Sequence, residues 1–390
     1  MNDFIYHISD NIDHIIRSVP LLKVELILAI GFLIGILCSL FIDQYWKGFS
    51  FYITLLTLLG AIAALVTQYK AINTGFFDML YLDKMSFFSR FIILGTLIII
   101  SLYLKQYLEN TNFKKRSGDL FSLLLTAGIG LNLLTMTSNW LLAFIGIEII
   151  SICSYLLVGY FSLDKKQAEA AMKYALFGAA CSAIMLYGLS LVYGFTGELD
   201  FSKQNHIQGL ITAPVPIISI ALLFIFTGIG FKLSFVPFHL WTPDVYQGAP
   251  TPVTAFLSSA PKIGILVLLA RLSTSWISTG FYFSELTFLI ISIAAIITML
   301  AGNLIALRQT DIKRMMAYSS IGHTGFLLMA IVAYGNGHAD VLLFYMVVYT
   351  LMNLASFGFI DILEQYTGKT SFTAYAGMGK HWPRLFGWLT

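Results

Sequence analysis

Charged residues are scarce in this 390-residue chain: they make up 11% of it, whereas 58% is hydrophobic. Soluble domains carry roughly 25% charged residues, so this composition excludes an ordinary soluble fold. The net charge is only +3, which gives no indication of a nucleic-acid partner. The organising unit of such a chain is the hydrophobic span, and the lipid bilayer is its expected surrounding.

The sequence also lacks the motifs that bind metals and redox cofactors. Its three cysteines, Cys38, Cys153 and Cys181, lie singly within apolar runs and share no C-x-x-C spacing. A disulfide or a metal site is therefore not expected. No P-loop and no G-x-G-x-x-G segment occurs either. We expect no cofactor and no metal in this chain.

Hydrophobic runs predict eleven transmembrane helices. A helix needs about 20 apolar residues to cross the roughly 30 Å hydrocarbon core. Such runs lie at residues 21–42, 48–69, 86–105, 118–138, 140–161, 168–195, 215–240, 251–272, 284–307, 312–334 and 339–362. The connections are short except for the polar loop at 196–214. The sequence thus predicts an all-α polytopic membrane protein.

Basic residues concentrate in the loops that follow odd-numbered spans. After spans 3, 5 and 9 these loops carry Lys105, Lys114, Lys115, Arg116, Lys165, Lys166, Arg308, Lys313 and Arg314. The loop after span 2, with Lys70, Lys84 and Arg90, is the exception. Because cytoplasmic loops are enriched in Lys and Arg, we predict that these loops are cytoplasmic and that the N-terminus lies outside.

Four ionisable residues lie deep within predicted spans: Glu148, Lys232, Lys262 and His323. A charge at mid-span costs about 2.5–3.5 kcal/mol on insertion scales, so such residues usually serve a function. A structural alternative exists for two of them. Glu148 can be a neutral carboxyl in a helix–helix hydrogen bond, and His323 can be a neutral core imidazole rather than a proton relay.

Lys232 lies beside a predicted helix break. Gly228 and Gly230 precede it and Pro237 follows, and these residues weaken or interrupt a helix. The backbone freed at such a break must line a polar cavity. His239, just past Pro237, is expected at the cytoplasmic mouth of the break.

The residues that precede Lys262 and Lys173 in the sequence give a prediction for each of these two lysines. Pro261 directly precedes Lys262 and predicts a kink there. Lys173 follows Glu169 by four residues, so an interfacial i,i+4 ion pair explains it as well as a functional role does.

The charges suggest a mechanism without deciding between two classes of protein. Burial disfavours the charged form of a lysine, whereas a nearby carboxylate favours it. An acid that moves toward or away from Lys232 would therefore switch it between holding and releasing a proton. That behaviour suits a pump element and a proton-coupled exchanger alike.

The segment Gly230–Leu257, GFKLSFVPFHLWTPDVYQGAPTPVTAFL, resembles the signature of the subunit N family of proton-pumping NADH:quinone oxidoreductase, respiratory complex I. Supporting matches are GIE around Glu148, AMKY around Lys173, and LRQTDIKRMMAYSSIGHTGF from Leu307 to Phe326. The resemblance covers about residues 118 to 362. The related L and M subunits carry a different segment after the Trp-x-Pro.

The resemblance implies a role for five of the six candidate residues. Glu148 is similar to the span-5 acid that pairs with a span-7 lysine, matched here by Lys232. Lys262 is similar to the connecting lysine of span 8, and Lys173 to an extra lysine of span 6. His323 matches a polar station between two half-channels.

The resemblance also implies a fold and an assembly. The family has fourteen helices with two inverted five-helix repeats that contain discontinuous helices. We expect a three-helix segment at 1–117, the first repeat at 118–273 and part of the second repeat at 284–390. Residues 381–390 read as the start of a twelfth span, so we expect a truncated chain whose span-12 lysine lies beyond residue 390.

Partner subunits are expected to carry the cofactors of such an assembly, namely NADH, FMN, iron–sulfur clusters and quinone. The expected partners are the antiporter-like L and M types, small membrane subunits and the bilayer of a bacterial inner membrane. Two alternatives stay open at this stage. One is a stand-alone or Mrp-type cation/proton antiporter, which the TPDVYQGAPTP segment disfavours. The other is a passive membrane scaffold, which the mid-depth charges disfavour.

Overall fold

The computed structural model describes residues 11–43, 46, 48–69, 73–111, 118–161, 165–276, 281–334, 339–381 and 383. Within them, eleven helices are long and apolar enough to cross a membrane, which confirms the predicted all-α polytopic fold. In chain order, spans 1 to 11 are Asn11–Phe41, Phe49–Thr67, Lys84–Thr111, Gly118–Met136, Trp140–Gly159, Lys165–Thr196, Val215–Leu233, Thr251–Trp276, Tyr282–Ala306, Ile312–Tyr334 and Asp340–Thr367. The predicted start of a twelfth span lies almost wholly outside the described residues.

The remaining elements are short. A two-stranded antiparallel hairpin pairs Asn73–Gly75 with Leu80–Leu82. The loop at 196–214 contains a helix, Gln204–Thr212. A second short helix, Thr242–Gly248, connects spans 7 and 8 and is called the signature helix below. The other short helical pieces are Val19–Leu22, which leads into Lys23–Phe41 within span 1, and Phe372–Tyr375 and Met378–His381.

Span 8 forms the centre of the bundle. Its most apolar stretch is 100% buried, whereas only 28% of the corresponding stretch is buried in span 6 and in span 9. It touches spans from both halves of the chain, including spans 3, 4, 7, 10 and 11. The outer spans expose large apolar side chains such as Leu56, Leu304 and Phe344. This arrangement suits a bilayer, because lipid tails are as apolar as the protein interior.

Spans 9 and 10 pack with their backbones in close approach. A Cβ atom at Gly302 would overlap the backbone of Gly322, and one at Gly325 would overlap Met299 and Ala295 of span 9. Small residues permit such contacts between membrane helices. Span 10, which carries His323, is thereby held firmly against span 9.

Span 7 ends earlier than the hydrophobic run predicts, at Leu233 instead of residue 240. Ser234 adopts a left-handed conformation with φ +61° and terminates the helix. The chain then turns, and Trp241 Nε1 reaches back to donate to the Phe231 carbonyl at 3.0 Å. Hydropathy does not detect this end because the turn itself is apolar, VPFHLW. The predicted helix break is confirmed, and it lies immediately after Lys232.

Span 8 is also discontinuous. It consists of Thr251–Ser258 and Ala260–Trp276, separated at Ser259 with φ −116° and ψ −83°. The predicted kink is confirmed, and it lies two residues before Pro261, where the proline ring disfavours the preceding helical turn. The two lysines at mid-depth thus each lie next to an interrupted helix.

Arg90 was assigned to the loop after span 2, and that assignment is wrong. Span 3 begins at Lys84, so Arg90 lies inside it and is 0% exposed. The loop after span 2, which was the exception to the charge pattern, therefore contains one basic residue fewer. The end of the bundle that carries Lys165, Arg308 and Arg314, reached by the odd-numbered spans, is called the basic side below.

Candidate functional site

Lys232 is held in an aromatic cage at the end of span 7. The residue is only 6% exposed, and its Nζ lies 5.2 Å from the ring centroid of Tyr155, 5.8 Å from Tyr174 and 5.0 Å from Phe231. Among the described residues, none accepts a hydrogen bond from this Nζ. Cation–π contacts stabilise an ammonium by about 2 kcal/mol or more when desolvated, which is less than a buried salt bridge partner would provide. Among the described residues, aromatic faces are therefore the contacts of this buried ammonium.

Glu148 lies near this cage without closing on it. Its Oε1 accepts a hydrogen bond from Ser182 Oγ of span 6 at 2.5 Å. The carboxylate acts electrostatically on Lys232, yet the two form no ion pair within 4.0 Å. The pairing that the resemblance implies is therefore not formed in this structure. A rotation of Glu148 from Ser182 toward Lys232 would convert a long-range interaction into a contact.

Lys262 occupies a second buried site formed by hydroxyl groups. It is 1% exposed, and its Nζ donates to Ser320 Oγ at 2.6 Å, to Thr324 Oγ1 at 2.9 Å and to the Ser320 carbonyl at 3.1 Å. All of these acceptors are neutral and belong to span 10. Neutral acceptors compensate a buried ammonium less than a carboxylate does.

Thr324 joins Lys262 to the end of span 7. Its hydroxyl accepts from Lys262 and lies 3.1 Å from the Leu233 carbonyl and 2.9 Å from the Ser320 carbonyl, either of which can accept its one proton. A carbonyl at a helix terminus has no partner within its own helix. The helix break thus brings a backbone carbonyl next in sequence to Lys232 within hydrogen-bond distance of the Lys262 site, and the common depth of the two lysines stays a prediction.

His323 continues this network on span 10. Its Nδ1 lies 2.8 Å from the Tyr345 hydroxyl, and its ring lies 5.7 Å from that of Tyr349. Tyr349 in turn is 3.0 Å from Ser320 Oγ, which contacts Lys262. The imidazole thus packs beside Tyr349, but its hydrogen bond goes to Tyr345, so its role as a proton relay stays a prediction.

Lys173 does not share the depth of the other candidates. Its side chain is 37% exposed and forms ion pairs with Glu169 at 2.8 Å and with Asp244 at 2.7 Å. The i,i+4 pair that the sequence predicts is present. Asp244 belongs to the signature helix and also accepts from Arg314 Nη1 at 2.7 Å. Lys173, Asp244 and Arg314 form a charge network that ties spans 6 and 10 to this helix on the basic side.

Protonation of Asp244 should loosen this network. Partial burial raises the pKa of the Asp244 carboxyl, but the hydrogen bonds from Lys173 and Arg314 outweigh this effect and lower the pKa below its usual value. A carboxyl whose pKa falls on folding contributes stability above its unfolded value of about 4 and loses that contribution as the pH falls further. We expect Asp244→Asn to lower the melting temperature in detergent at pH 7, and the difference from wild type to shrink below about pH 4. Glu169→Gln, whose carboxylate is 58% exposed, serves as the control and should change little. A constant difference at every pH would contradict this role.

His239 lies in the turn after the end of span 7, on the basic side, and its place at a cytoplasmic mouth stays a prediction. It is half-buried, and burial lowers the pKa of its imidazole, so the ring is neutral near pH 7. The structure does not bring it into contact with Lys262 or His323. Its place is at the outer end of the broken helix.

A buried ion pair in the first three spans was missed. Arg90 Nη2 donates to Glu25 Oε1 of span 1 at 2.8 Å, and Arg90 also bonds Asn132 at 3.2 Å and Gln68 at 3.4 Å. Both charges are buried, at 0% and 5% exposure. In the sequence, Arg90 and Glu25 each lie in or beside an apolar run, and this could have marked them as buried charges. That they pair with each other depends on how the spans pack.

An acidic pair on span 11 was missed as well. Asp361 is 3% exposed, and Glu364 follows it by one turn. Glu364 accepts from Thr251 of span 8 and forms an ion pair with Lys313 of span 10 at 3.6 Å. Asp361 and Glu364 lie near the end of an otherwise apolar span, where a carboxylate is normally interpreted as a charge at the membrane interface. Among the described residues, no group of three or more His, Cys, Asp or Glu side chains is arranged to hold a metal ion.

Comparison with known proteins gives a consistent picture. The NADH:quinone oxidoreductase/Mrp antiporter transmembrane family model matches residues 137–390. NAD(P)H-quinone oxidoreductase subunit 2 of Trichodesmium erythraeum is 38% identical over 369 residues, which cover 93% of this chain and 68% of that protein. NADH-quinone oxidoreductase subunit N of Acidithiobacillus ferrooxidans is 37% identical over 327 residues, which cover 83% of this chain and 67% of that protein.

Solved structures show the same fold. A chain of respiratory complex I from Thermus thermophilus with bound Aureothin matches with a TM-score of 0.75 and 28% identity, covering 93% of this chain and 75% of that one. A chain of the membrane-bound sulfane sulfur reductase, an archaeal respiratory membrane complex, matches with a TM-score of 0.79 over 94% of this chain and 76% of that one. Its identity of 22% supports the fold alone.

The eleven spans, the two interrupted helices and the buried lysines define a multi-pass membrane protein of the antiporter-like class. The chain belongs to the NADH:quinone oxidoreductase/Mrp antiporter transmembrane family. Its relatives within that family include subunits N and 2 of NADH- and NAD(P)H-quinone oxidoreductases.

Proposed function

We propose that this chain is a non-redox membrane-arm subunit of a proton-translocating NADH:quinone oxidoreductase. It moves protons through its buried Lys, Glu and His residues, driven by electron transfer in partner subunits. The observation that carries this function is the pair of buried lysines beside two interrupted helices: among the described residues, Lys232 Nζ has no hydrogen-bond acceptor and Lys262 Nζ has only neutral acceptors. Kinship with subunits N and 2 of quinone oxidoreductases supports it.

Each site residue has a place in this path. Lys232 is the central carrier, and Glu148 sets its charge by closing on it or turning back to Ser182. Lys262 receives the proton through the hydroxyl groups around Thr324, and His323 passes it onward. His239 and Lys173 belong to the uptake mouth at the basic side, where Lys173 also holds the signature helix through Asp244.

The wider assembly follows from the same proposal. NADH, FMN, iron–sulfur clusters and quinone bind to partner subunits, and the neighbours in the membrane are L- and M-type and small membrane subunits. The chain lies in a bacterial inner membrane with its N-terminus outside and its basic side in the cytoplasm. Residues 118–273 form one antiporter-like repeat, and residues 284–390 belong to a second, preceded by a three-span segment at 1–117.

Glu148→Gln tests the switch. Glutamine keeps the size of the side chain and its hydrogen bond with Ser182 but cannot carry a charge to Lys232. We expect a several-fold lower rate of NADH-driven proton pumping in proteoliposomes that contain the assembled complex, followed with a pH-sensitive dye. Glu109→Gln, whose carboxylate is 67% exposed at the end of span 3, is the control and should pump normally.

Two results would count against the proposed function. Unchanged pumping by a fully assembled Glu148→Gln complex would remove the carboxylate from the path. Cation/proton exchange by the isolated chain in liposomes, together with normal pumping in a complex that lacks it, would favour a stand-alone antiporter.

A further inference from the structure

Tyr349 of span 11 lies beside Lys262 and has no role in the proposed path. The residue is 2% exposed, and its ring centroid lies 5.8 Å from Lys262 Nζ. Its hydroxyl lies 3.0 Å from Ser320 Oγ, the closest acceptor of Lys262, and donates to the Ser258 carbonyl at 2.9 Å. Tyr349 therefore contacts both the partner of Lys262 and the interruption in span 8.

The Ser258 carbonyl determines where the proton of the Tyr349 hydroxyl points. Span 8 is interrupted directly after Ser258, and no backbone N–H in the described part of the chain donates to this carbonyl. A carbonyl can only accept, and a buried one is costly to leave without a donor, so the single Tyr349 proton is committed to it. Tyr349 then offers only lone pairs to Ser320. The Ser320 hydroxyl must therefore donate to Tyr349.

All three partners of Lys262 consequently present lone pairs to its Nζ. The proton of Ser320 Oγ points to Tyr349, the Ser320 carbonyl has no proton, and the proton of Thr324 Oγ1 is taken by one of two backbone carbonyls. An ammonium group has three N–H donors, whereas a neutral amine has two donors and a lone pair. The three acceptors match the ammonium. A neutral amine would face a lone pair with its own lone pair unless one hydroxyl turned.

Other titratable groups do not take the place of Tyr349 in this arrangement. His323 of span 10 interacts with the charge of Lys262, but its Nδ1 lies against Tyr345. Tyr246 of the signature helix approaches Ser320, yet its hydroxyl has no hydrogen-bond partner among the described residues. In the same part of the chain, no hydrogen bond or ion pair joins Lys262 to the charged residues of spans 3, 10 and 11, or to those of spans 4, 7 and 9, which are Asp119, Lys232 and Glu285.

We propose that Tyr349 is a positioning residue that holds the Ser320 hydroxyl as an acceptor toward Lys262, so that Lys262 keeps its proton more readily than it would without Tyr349. A hydrogen bond to the charged form of a group favours that form. The inference rests on the proposed function and deepens it. Release of the proton from Lys262 requires the Ser320 hydroxyl to turn from Tyr349 to the amine, at the cost of about one hydrogen bond. Tyr349 itself neither takes up nor gives up a proton.

Tyr349→Phe tests this role, because it keeps the ring and removes the hydroxyl. Ser320 can then turn its proton toward the neutral amine of Lys262 without losing a partner. We expect the alkaline limb of the pH profile of NADH-driven proton pumping to shift to lower pH by about one unit, the equivalent of one hydrogen bond. The measurement uses proteoliposomes that contain the assembled complex. Dividing the pumping rate by the rate of quinone reduction at each pH removes effects on the redox partners.

Tyr103→Phe is the matched control. The Tyr103 hydroxyl of span 3 donates to the Leu354 carbonyl of span 11 at 3.1 Å, so it also joins two spans through a backbone carbonyl. It has no contact with Ser320 or Lys262 in the described part of the chain, and its removal should leave the pH profile unchanged. An equal shift in Tyr103→Phe would show that the loss of any such bond moves the profile, and would overturn the inference.

Ser320→Ala separates positioning from a structural role of Tyr349. It removes the closest acceptor of Lys262, so the alkaline limb should shift in the same direction by at least as much. Adding Tyr349→Phe to Ser320→Ala should shift it no further, because Tyr349 acts through Ser320. Shifts that add in the double variant would overturn the inference.

The other contrary results concern Tyr349→Phe alone. An unchanged profile or a shift to higher pH in the assembled complex would overturn the inference. Loss of pumping at every pH would do the same, since Tyr349 would then carry protons itself. If Tyr349→Phe impairs assembly, Ser320→Ala decides: a shift to lower pH supports the inference, and an unchanged profile overturns it.

Failure of this inference differs from failure of the proposed function. A wild-type profile in Tyr349→Phe together with lost pumping in Lys232→Met would overturn the inference alone. Normal pumping at every pH in an assembled Lys232→Met complex would overturn the proposed function itself.

Discussion

Replacing Lys232 should lower proton pumping by about tenfold or more while the complex still assembles. The residue lies at the helix break with its Nζ over three aromatic rings, and in the proposed path it is the central carrier of the proton. Lys232→Met fills most of the same volume and removes the charge. Lys232→Ala removes the volume too and should add a cavity cost of about 2–5 kcal/mol to stability.

The measurement is NADH-driven acidification of proteoliposomes, normalised to the amount of assembled complex and to quinone reduction. Lys203→Met is the control, because Lys203 is an exposed loop lysine paired only with Glu198 at 3.6 Å. Normal pumping by a well-assembled Lys232→Met complex would remove Lys232 from the proton path. A loss in Lys232→Ala but not in Lys232→Met would show that volume, not charge, is what the site requires.

Breaking the Arg90–Glu25 pair should cause the largest loss of stability in the chain. Arg90→Met leaves the Glu25 carboxylate buried without its cation, and removing one partner of a buried pair costs about 3–5 kcal/mol. Glu25 Oε2 already has no hydrogen-bond partner in the described part of the chain, so little is left to compensate it. The free energy of unfolding in detergent, from a denaturant titration, measures this loss.

The matched comparison is the double variant Glu25→Gln with Arg90→Met. Replacing both partners of a buried pair is often close to neutral, so the double variant should be more stable than Arg90→Met alone. The exposed pair of Lys105 and Glu109, 3.8 Å apart, should contribute no more than about 1 kcal/mol. A double variant as unstable as the single one would show that Arg90 acts through Asn132 and Gln68 instead of Glu25.

Hydropathy was sufficient to predict the number and approximate position of the spans, because every helix that crosses the bilayer needs about the same length of apolar sequence. The predicted runs match the eleven spans to within a few residues at most ends. The break in span 7 was also readable, since Pro237 cannot donate to a helix. Its position was not, because Ser234 terminates the helix through a left-handed turn and the apolar turn that follows resembles more span.

Side-chain partnerships were not readable in the same way. Lys173 and Glu169 are four residues apart and their ion pair follows from helix geometry alone. Asp244 and Arg314 come from distant parts of the sequence, and only packing places Asp244 against both Lys173 and Arg314. Lys262 was predicted as a buried charge, but nothing local indicated that its three acceptors all lie on span 10.

The sequence by itself determined that this protein spans a membrane, that span 7 breaks beside Lys232, and that a few charges lie at mid-depth. These features depend on local composition and on the energetic cost of polar groups in lipid. The tertiary structure decided which charges meet. It left Glu148 on Ser182 rather than on Lys232, and it buried Arg90 against Glu25. Contacts between helices distant in the chain arise from their packing, which no single segment encodes.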